Sequence, residues 1–131
     1  MKALLLAVGF QGDVRPMVAR ADRLRRQGHG AVLVAPALFR PLAIACRVPF
    51  APLDLDMMRV ADAISHSCGA RFLPRLAMTM GGRAAEVLAG AWGVAANCGA
   101  DVVVHHPVLP LGQHLAERLG VPAVVALPFP A

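Results

Sequence analysis

Short apolar runs alternate with amphipathic segments along this chain. The runs carry valine, leucine and alanine on consecutive positions, which is typical of strands that are covered on both faces of a sheet. The third run, VPFAPLDL, is predicted to be a short strand because prolines lie near its ends. The predicted strands are Lys2–Val8, Gly30–Pro36, Val48–Leu55, Ala100–His106 and Val121–Pro130.

The intervening segments carry apolar residues at helical spacing, and three of them end at a glycine, as helices commonly do. The first helix is predicted to hold Pro16 in its first turn and to end at Gly28. A short helix over Leu38–Cys46 is interrupted early by Pro41. The remaining predicted helices are Arg83–Gly99, Pro110–Gly120 and one or two helices between Met57 and Met80, with breaks at Gly69 and Pro74.

This alternation predicts parallel βαβ units with right-handed crossovers. The expected fold is a Rossmann-like α/β domain with the strand order 3-2-1-4-5 and helices on both faces of the sheet. Ligands of such sheets bind outside the carboxyl ends of the strands, where the strand order reverses. The segments Gly9–Arg15 and His105–His106 are therefore predicted to lie on opposite sides of one crevice.

Composition narrows the class of protein. The 131 residues are 57% hydrophobic and 16% charged, and we interpret residues 1–131 as a single domain with its own core. No apolar run reaches the roughly 18 residues of a membrane span. The apolar start resembles a signal peptide but lacks its cleavage site. The apolar excess predicts a face that is covered by another domain or by self-association.

Charge and cysteine content exclude other classes. The formal charge is +5, but the arginines are scattered and aromatic residues are few. Because base-stacking surfaces need aromatic side chains, we predict no nucleic-acid partner. The three cysteines have no CxxC spacing, which argues against a disulfide scaffold and a zinc site and favours the cytoplasm.

The segment GFQGDVRP, Gly9 to Pro16, places one acid, Asp13, where the first strand ends. It lacks the GxGxxG and GK[ST] patterns of phosphate loops, and no acid follows the second strand to hold a ribose. Asp13 is favoured as a cap or first-turn residue of the helix. A partly desolvated carboxylate at this crevice also suits a general base, because desolvation raises its pKa toward the working range. The two roles are compatible.

His105 and His106 are neighbours at the predicted end of the fourth strand. Side chains of neighbouring strand residues point to opposite faces, so only one of the pair readily faces a given partner. A histidine pair without a third ligand at useful spacing does not indicate a metal site. We therefore predict no metal ion here.

The pattern of Gly9–Pro16, followed by Gly28-His29 and by Pro36 to Phe39, resembles the start of the GT-B glycosyltransferases. The similarity is greatest to the branch that acts on glycopeptide antibiotics, other natural products and sterols. It extends to AERLGVPAVVALPFP near the carboxyl terminus. Phe10-Gln11, where Ser-x is usual, and Gly30 after the Gly-His pair depart from the family pattern.

The resemblance implies half of a GT-B enzyme. In such enzymes an amino-terminal domain binds the acceptor, and a second domain binds a nucleotide-diphosphate sugar as co-substrate. The reaction is inverting transfer of the sugar to an acceptor hydroxyl, and it needs no metal. This domain is then expected to bind no cofactor itself. By the same resemblance Asp13 corresponds to the general base, and His106 corresponds to the position of its tuning partner.

The resemblance also implies where the acceptor binds. Apolar and polar residues near the crevice and in the variable middle segment are expected to form its pocket, and they suit a natural-product or lipid-like small molecule. The donor domain is absent from these 131 residues, so the chain resembles a truncated enzyme that is inactive alone. The alternative is a non-catalytic Rossmann-like module that partners another chain, so whether the chain is itself an enzyme stays open. The expected acceptor-binding residues are Phe10, Gln11, Gly12, Met57, Met58, Phe72 and His105.

Overall fold

A computed structural model describes residues 1–7, 11–53, 84–105 and 111–126, with the backbone alone for 11–13, 84–88 and 111. These residues form one parallel sheet in the order β3-β2-β1-β4-β5. The predicted Rossmann-like class and strand order are confirmed. The strands are β1 (Lys2–Leu6), β2 (Gly30–Pro36), β3 (Phe50–Leu53), β4 (Val102–His105) and β5 (Ala123–Val125).

The helices follow the predicted alternation with the strands. Between β2 and α2 lies a single 3₁₀ turn, Ala37–Phe39. The predicted helices between Met57 and Met80 lie outside the described residues. The described α-helices are α1 (Gln11–Arg26), α2 (Arg40–Ala45), α3 (Ala84–Cys98) and α4 (Leu111–Leu119).

Two apolar layers hold the helices on the sheet. On one face Leu5 and Leu33 pack with Val14 and Met17 of α1 and with Ala43 of α2. The other face is closed by α3 and α4. There Leu4, Leu6 and Val103 pack with Ala91, Ala95, Leu115 and Ala116. Helices therefore cover both faces, as predicted.

The start of α1 and the course of α2 differ from the prediction. Helix α1 begins at Gln11, so Pro16 lies inside the helix and not in its first turn. Pro16 cannot donate to the carbonyl of Gly12, yet burial of Val14 and Met17 holds this turn on the core. Pro41 lies in the first turn of α2 and does not interrupt it, because a first turn needs no N–H there.

Strands β3, β4 and β5 each begin two residues later than predicted, at Phe50, Val102 and Ala123. Strand β2 has both predicted ends, and the other predicted carboxyl ends lie outside the described residues. The predicted ranges around β3 and β5 are rich in proline, which supplies no N–H to a ladder. Within the described residues, no helix has the length and apolar character needed to cross a membrane.

Candidate functional site

The central strand β1 pairs with β2 on one side and with β4 on the other. The ladder to β2 continues through Ala7, whose N–H donates to the carbonyl of Val34. The chain leaves β1 toward α1 and β2, whereas β4 and β5 extend the sheet in the opposite direction. The carboxyl ends of β1 and β4 therefore form the reversal point where ligands of this fold class bind.

Helix α1 begins at this end of the sheet, and Asp13 is its third residue. The next residue, Val14, is fully buried in the layer beneath α1, and Met17 and Val18 are buried one turn further on. These three contacts fix the first turn of α1 on the sheet. Asp13 thus occupies a backbone position that core packing holds at the carboxyl end of β1.

His105 is the last residue of β4 and pairs in register with Leu6 of β1. The two strand ends are neighbours, at a spacing of about 4.8 Å. The side chain of His105 is 4% exposed. It lies on the α4 side of the sheet, because a Cβ built on Gly112 would overlap the Cβ and Cγ atoms of His105. Helix α1 packs on the opposite face, so His105 and α1 border this end of the sheet from different layers.

Gly112 is a residue whose importance the sequence analysis missed. It is the second residue of α4, and its backbone lies directly against His105. Any side chain at this position would force the helix or the histidine to move. The available signal was a glycine inside a segment with helical periodicity, which can mark close packing.

The predicted site residues divide into three groups. His105 is placed with its side chain, as described above. Gln11, Gly12 and Asp13 are placed by backbone in the first turn of α1. The others lie outside the described residues, namely Phe10, Met57, Met58, Phe72 and His106.

Among the residues that the structure describes, no cluster of three or more histidine, cysteine or acidic side chains could hold a metal ion. Cys46 and Cys98 carry free thiols.

No family model matches this chain. It is 30% identical over 133 residues to a sterol 3-beta-glucosyltransferase of Neurospora crassa, in a match that covers 99% of this chain and 8% of that protein. A sterol 3-beta-glucosyltransferase of Komagataella phaffii is 28% identical over 134 residues, with 98% and 11% covered. The chain thus spans about a tenth of the length of these relatives.

Solved structures of similar fold are natural-product glycosyltransferases of the GT-B class. SsfS6 of Streptomyces sp. SF2575 superposes with a TM-score of 0.72 at 24% identity, over 94% of this chain and 38% of that one. The calicheamicin glycosyltransferase CalG4 gives 0.71 at 21% identity, with 94% and 31% covered. Another structure of SsfS6 contains thymidine diphosphate. By sequence this chain is homologous to a segment of the sterol 3-beta-glucosyltransferases, and by fold it is related to the GT-B glycosyltransferases.

Proposed function

We propose that this chain is the acceptor-binding domain of an inverting glycosyltransferase, with Asp13 as its general base. The observation that carries the proposal is the position of Asp13, in the first turn of α1 at the carboxyl end of β1. The positive end of the helix macrodipole lies at this turn and favours an ionised carboxylate. An ionised carboxylate is the form that a general base needs.

The proposed reaction balances as a single displacement. The acceptor hydroxyl gives its proton to the Asp13 carboxylate, and its oxygen forms a bond to the anomeric carbon of the sugar. The bond from that carbon to the nucleotide diphosphate breaks on the opposite face, and the diphosphate leaves with the electron pair. Attack and departure on opposite faces invert the anomeric centre.

The donor is a nucleotide-diphosphate sugar held by a second domain, as the thymidine diphosphate in a structure of SsfS6 supports. Without that domain nothing binds the sugar nucleotide or stabilises the departing diphosphate. The isolated 131-residue chain is therefore expected to be inactive. Sugar transfer by the purified chain alone would contradict this part of the proposal.

The acceptor is a small molecule with a hydroxyl on an apolar body. Relatives named for sterols and structural neighbours named for natural products support this class. A cytoplasmic location is proposed for the reaction, because the three cysteines lack the spacing of a disulfide scaffold.

The decisive experiment supplies a donor domain of a related glycosyltransferase in trans and measures sugar transfer. Asp13→Asn is expected to lower kcat by about 10²–10⁴-fold, the usual contribution of a general base. Asp101→Asn is the matched control, because Asp101 accepts from the Lys2 N–H at the other end of the sheet. Full activity of Asp13→Asn would leave Asp13 as a helix-terminal residue only.

His106 is proposed as a positioning residue that tunes Asp13. In the same assay, His106→Asn is expected to move the acidic limb of the pH profile of kcat/KM to higher pH. The reason is that a nearby imidazolium favours the ionised form of a carboxylate. An unchanged profile, or a structure that separates the two side chains by more than about 8 Å, would remove His106 from the mechanism.

A second candidate function is a non-catalytic module that binds another chain. Val124 and Val125 of β5 are 48% and 52% exposed at the edge of the described sheet, one on each face of the strand. Exposed apolar side chains at a sheet edge can mark a contact surface. Sedimentation velocity of the wild type and of Val124→Thr tests self-association there. A monomer at every concentration would argue against self-association, and activity in the trans assay would argue against the non-catalytic role.

A further inference from the structure

The ends of α1 and α2 meet at the amino end of the sheet, opposite the end where Asp13 lies. A surface pocket of about 500 Å³ opens between them. No step of the proposed reaction uses this pocket. We call it the arginine pocket, and its lining residues are Asp22, Arg25, Arg26, Ala45, Cys46 and Arg47.

The arginine pocket has an excess of positive charge. Its one acid, Asp22, accepts a 2.9 Å hydrogen bond from Nε of Arg26 within α1. The carboxylate offsets one of the three guanidinium groups. Arg25 and Arg47 supply the remaining two positive charges from different helix ends.

Arg47 is held in a backbone conformation that arginine rarely adopts. Its φ is +56°, and it is the one non-glycine residue with positive φ in the described part of the chain. The N–H of Arg47 donates to Ile44, and the N–H of Val48 donates to Ala43. This pair of bonds is the Schellman closure of a helix, which favours glycine at the position of Arg47.

Two other helices close with the same pair of bonds and do carry glycine. The closing residues are Gly28 after α1 and Gly120 after α4, with φ of +89° and +70°. An arginine at the end of a helix also interacts favourably with the helix dipole. That interaction is available to a cation anywhere in the last turn, so it does not require the one position where a side chain is strained. Strain at a residue that lines a pocket is a reason to look for function.

We propose that the arginine pocket binds a phosphomonoester, carried by a small solute or by a lipid headgroup. A phosphomonoester carries close to two negative charges at neutral pH, which matches the two uncompensated arginines. Guanidinium groups also present paired N–H donors that suit phosphate oxygens. Arg25 and Arg47 bind the phosphate, while Asp22 holds the Arg26 side chain along α1.

Binding in the arginine pocket can be detected at Cys46, because this residue lines the pocket and a bound ligand would shield its thiol. The rate of alkylation of Cys46 by iodoacetamide is measured by peptide mass spectrometry on the 131-residue chain. Cys98 of α3 lies outside the pocket, is also half-buried and serves as the internal control. The probes are glycerol 3-phosphate and phosphatidylcholine vesicles containing phosphatidic acid, each compared with sodium chloride at equal ionic strength.

We expect either probe to slow the alkylation of Cys46 and to leave Cys98 unchanged. Protection by glycerol 3-phosphate identifies a soluble ligand, and protection by the vesicles alone identifies a lipid headgroup. Arg47→Gly and Arg25→Gln should each raise the half-protecting concentration about tenfold, the effect of one lost charge-assisted hydrogen bond. Arg23→Gln removes a charge from the same helix outside the pocket and should change it less than about twofold.

Three results would overturn the proposal. The first is no protection of Cys46 by either probe. The second is equal protection by sodium chloride, and the third is an equal loss in Arg23→Gln, because both would indicate general charge screening. Circular dichroism of each variant shows whether it is folded. If Arg47→Gly does not fold, Arg25→Gln decides alone.

Discussion

Helices α2 and α4 are both short, lie on opposite faces of the sheet, and end with the same two backbone hydrogen bonds. Yet α4 has glycine near its start and directly after its end, whereas α2 has an arginine after its end and no glycine. Gly112 is set by space, because His105 fills the position of a side chain. Gly120 is set by conformation, because its φ is +70° and no atom lies within 4 Å of an added Cβ. Glycine is thus required at these two positions for two different physical reasons.

The largest effect is expected where space is the constraint. Gly112→Ala should lower the free energy of unfolding by about 1–3 kcal/mol, the usual result of overpacking. The new methyl group would meet the Cβ and Cγ atoms of His105, and rotation of the side chain cannot remove the contact with Cβ, which moves only with the backbone of β4. Urea denaturation followed by circular dichroism measures the change.

Gly93→Ala is the matched control in α3. Nothing lies within 4 Å of a Cβ added at Gly93, so alanine should stabilise this exposed helix position by about 0.5–1 kcal/mol. Opposite signs at these two helical glycines would confirm the packing of α4 against His105. A stabilising Gly112→Ala would show that α4 lies further from β4.

The next largest effect on stability is expected at Gly120, where the backbone conformation is the only constraint. Gly120→Ala should lower the free energy of unfolding by about 1 kcal/mol. The left-handed backbone costs alanine roughly 1–2 kcal/mol, and the lower entropy of the unfolded chain returns part of this. Gly120→Asn should be milder, because asparagine tolerates this conformation. Equal losses for both substitutions would point to a packing cause.

At the end of α2 the same reasoning predicts that glycine would increase the stability of the fold. Arg47→Gly removes the strain at a φ of +56° and should raise the free energy of unfolding by about 0.5–1 kcal/mol. The same variant should lose phosphomonoester binding in the arginine pocket. A helix-stabilising role of Arg47 predicts the reverse change in stability, so thermal denaturation at low salt separates the two interpretations.

The ends of the helices and the start of α4 also show what the sequence could and could not predict. The stop signals Gly28, Gly99 and Gly120 were read correctly, because positive φ is a local property that glycine satisfies. The sequence gives no sign of the strain at Arg47, and it marks Gly112 only as a glycine inside a helical pattern. One depends on how a helix closes, and the other on how closely two elements approach.

The start of α1 was missed for a related reason. Gly9, Gly12 and Pro16 are local signals of a loop, and they led to a helix predicted to hold Pro16 in its first turn. Burial of Val14 outweighed them and extended the helix back to Gln11. The adjacency of the β1 and β4 ends was predictable, because it follows from strand order alone. The face of the sheet on which the His105 side chain lies could be assigned only from the register of β4 in the structure.

The smallest expected effect on stability belongs to Asp22, where the arginine pocket meets α1. Its bond to Arg26 joins residues four apart on the helix, and the Arg26 side chain is 79% exposed. Such pairs contribute about 0.3–0.5 kcal/mol and weaken with salt. Asp22→Asn should therefore lower the free energy of unfolding by no more than about 0.5 kcal/mol.

The same substitution should have the opposite effect on binding. It leaves three uncompensated guanidinium groups around the arginine pocket and frees Arg26 to reach an anion. The concentration of glycerol 3-phosphate that half-protects Cys46 should fall severalfold, and more at low salt, because surface charges are screened over about 10 Å at 0.1 M ionic strength. Weaker binding in Asp22→Asn would mean that Asp22 orients Arg26 toward the phosphate, and that Arg26 binds the phosphate together with Arg25 and Arg47.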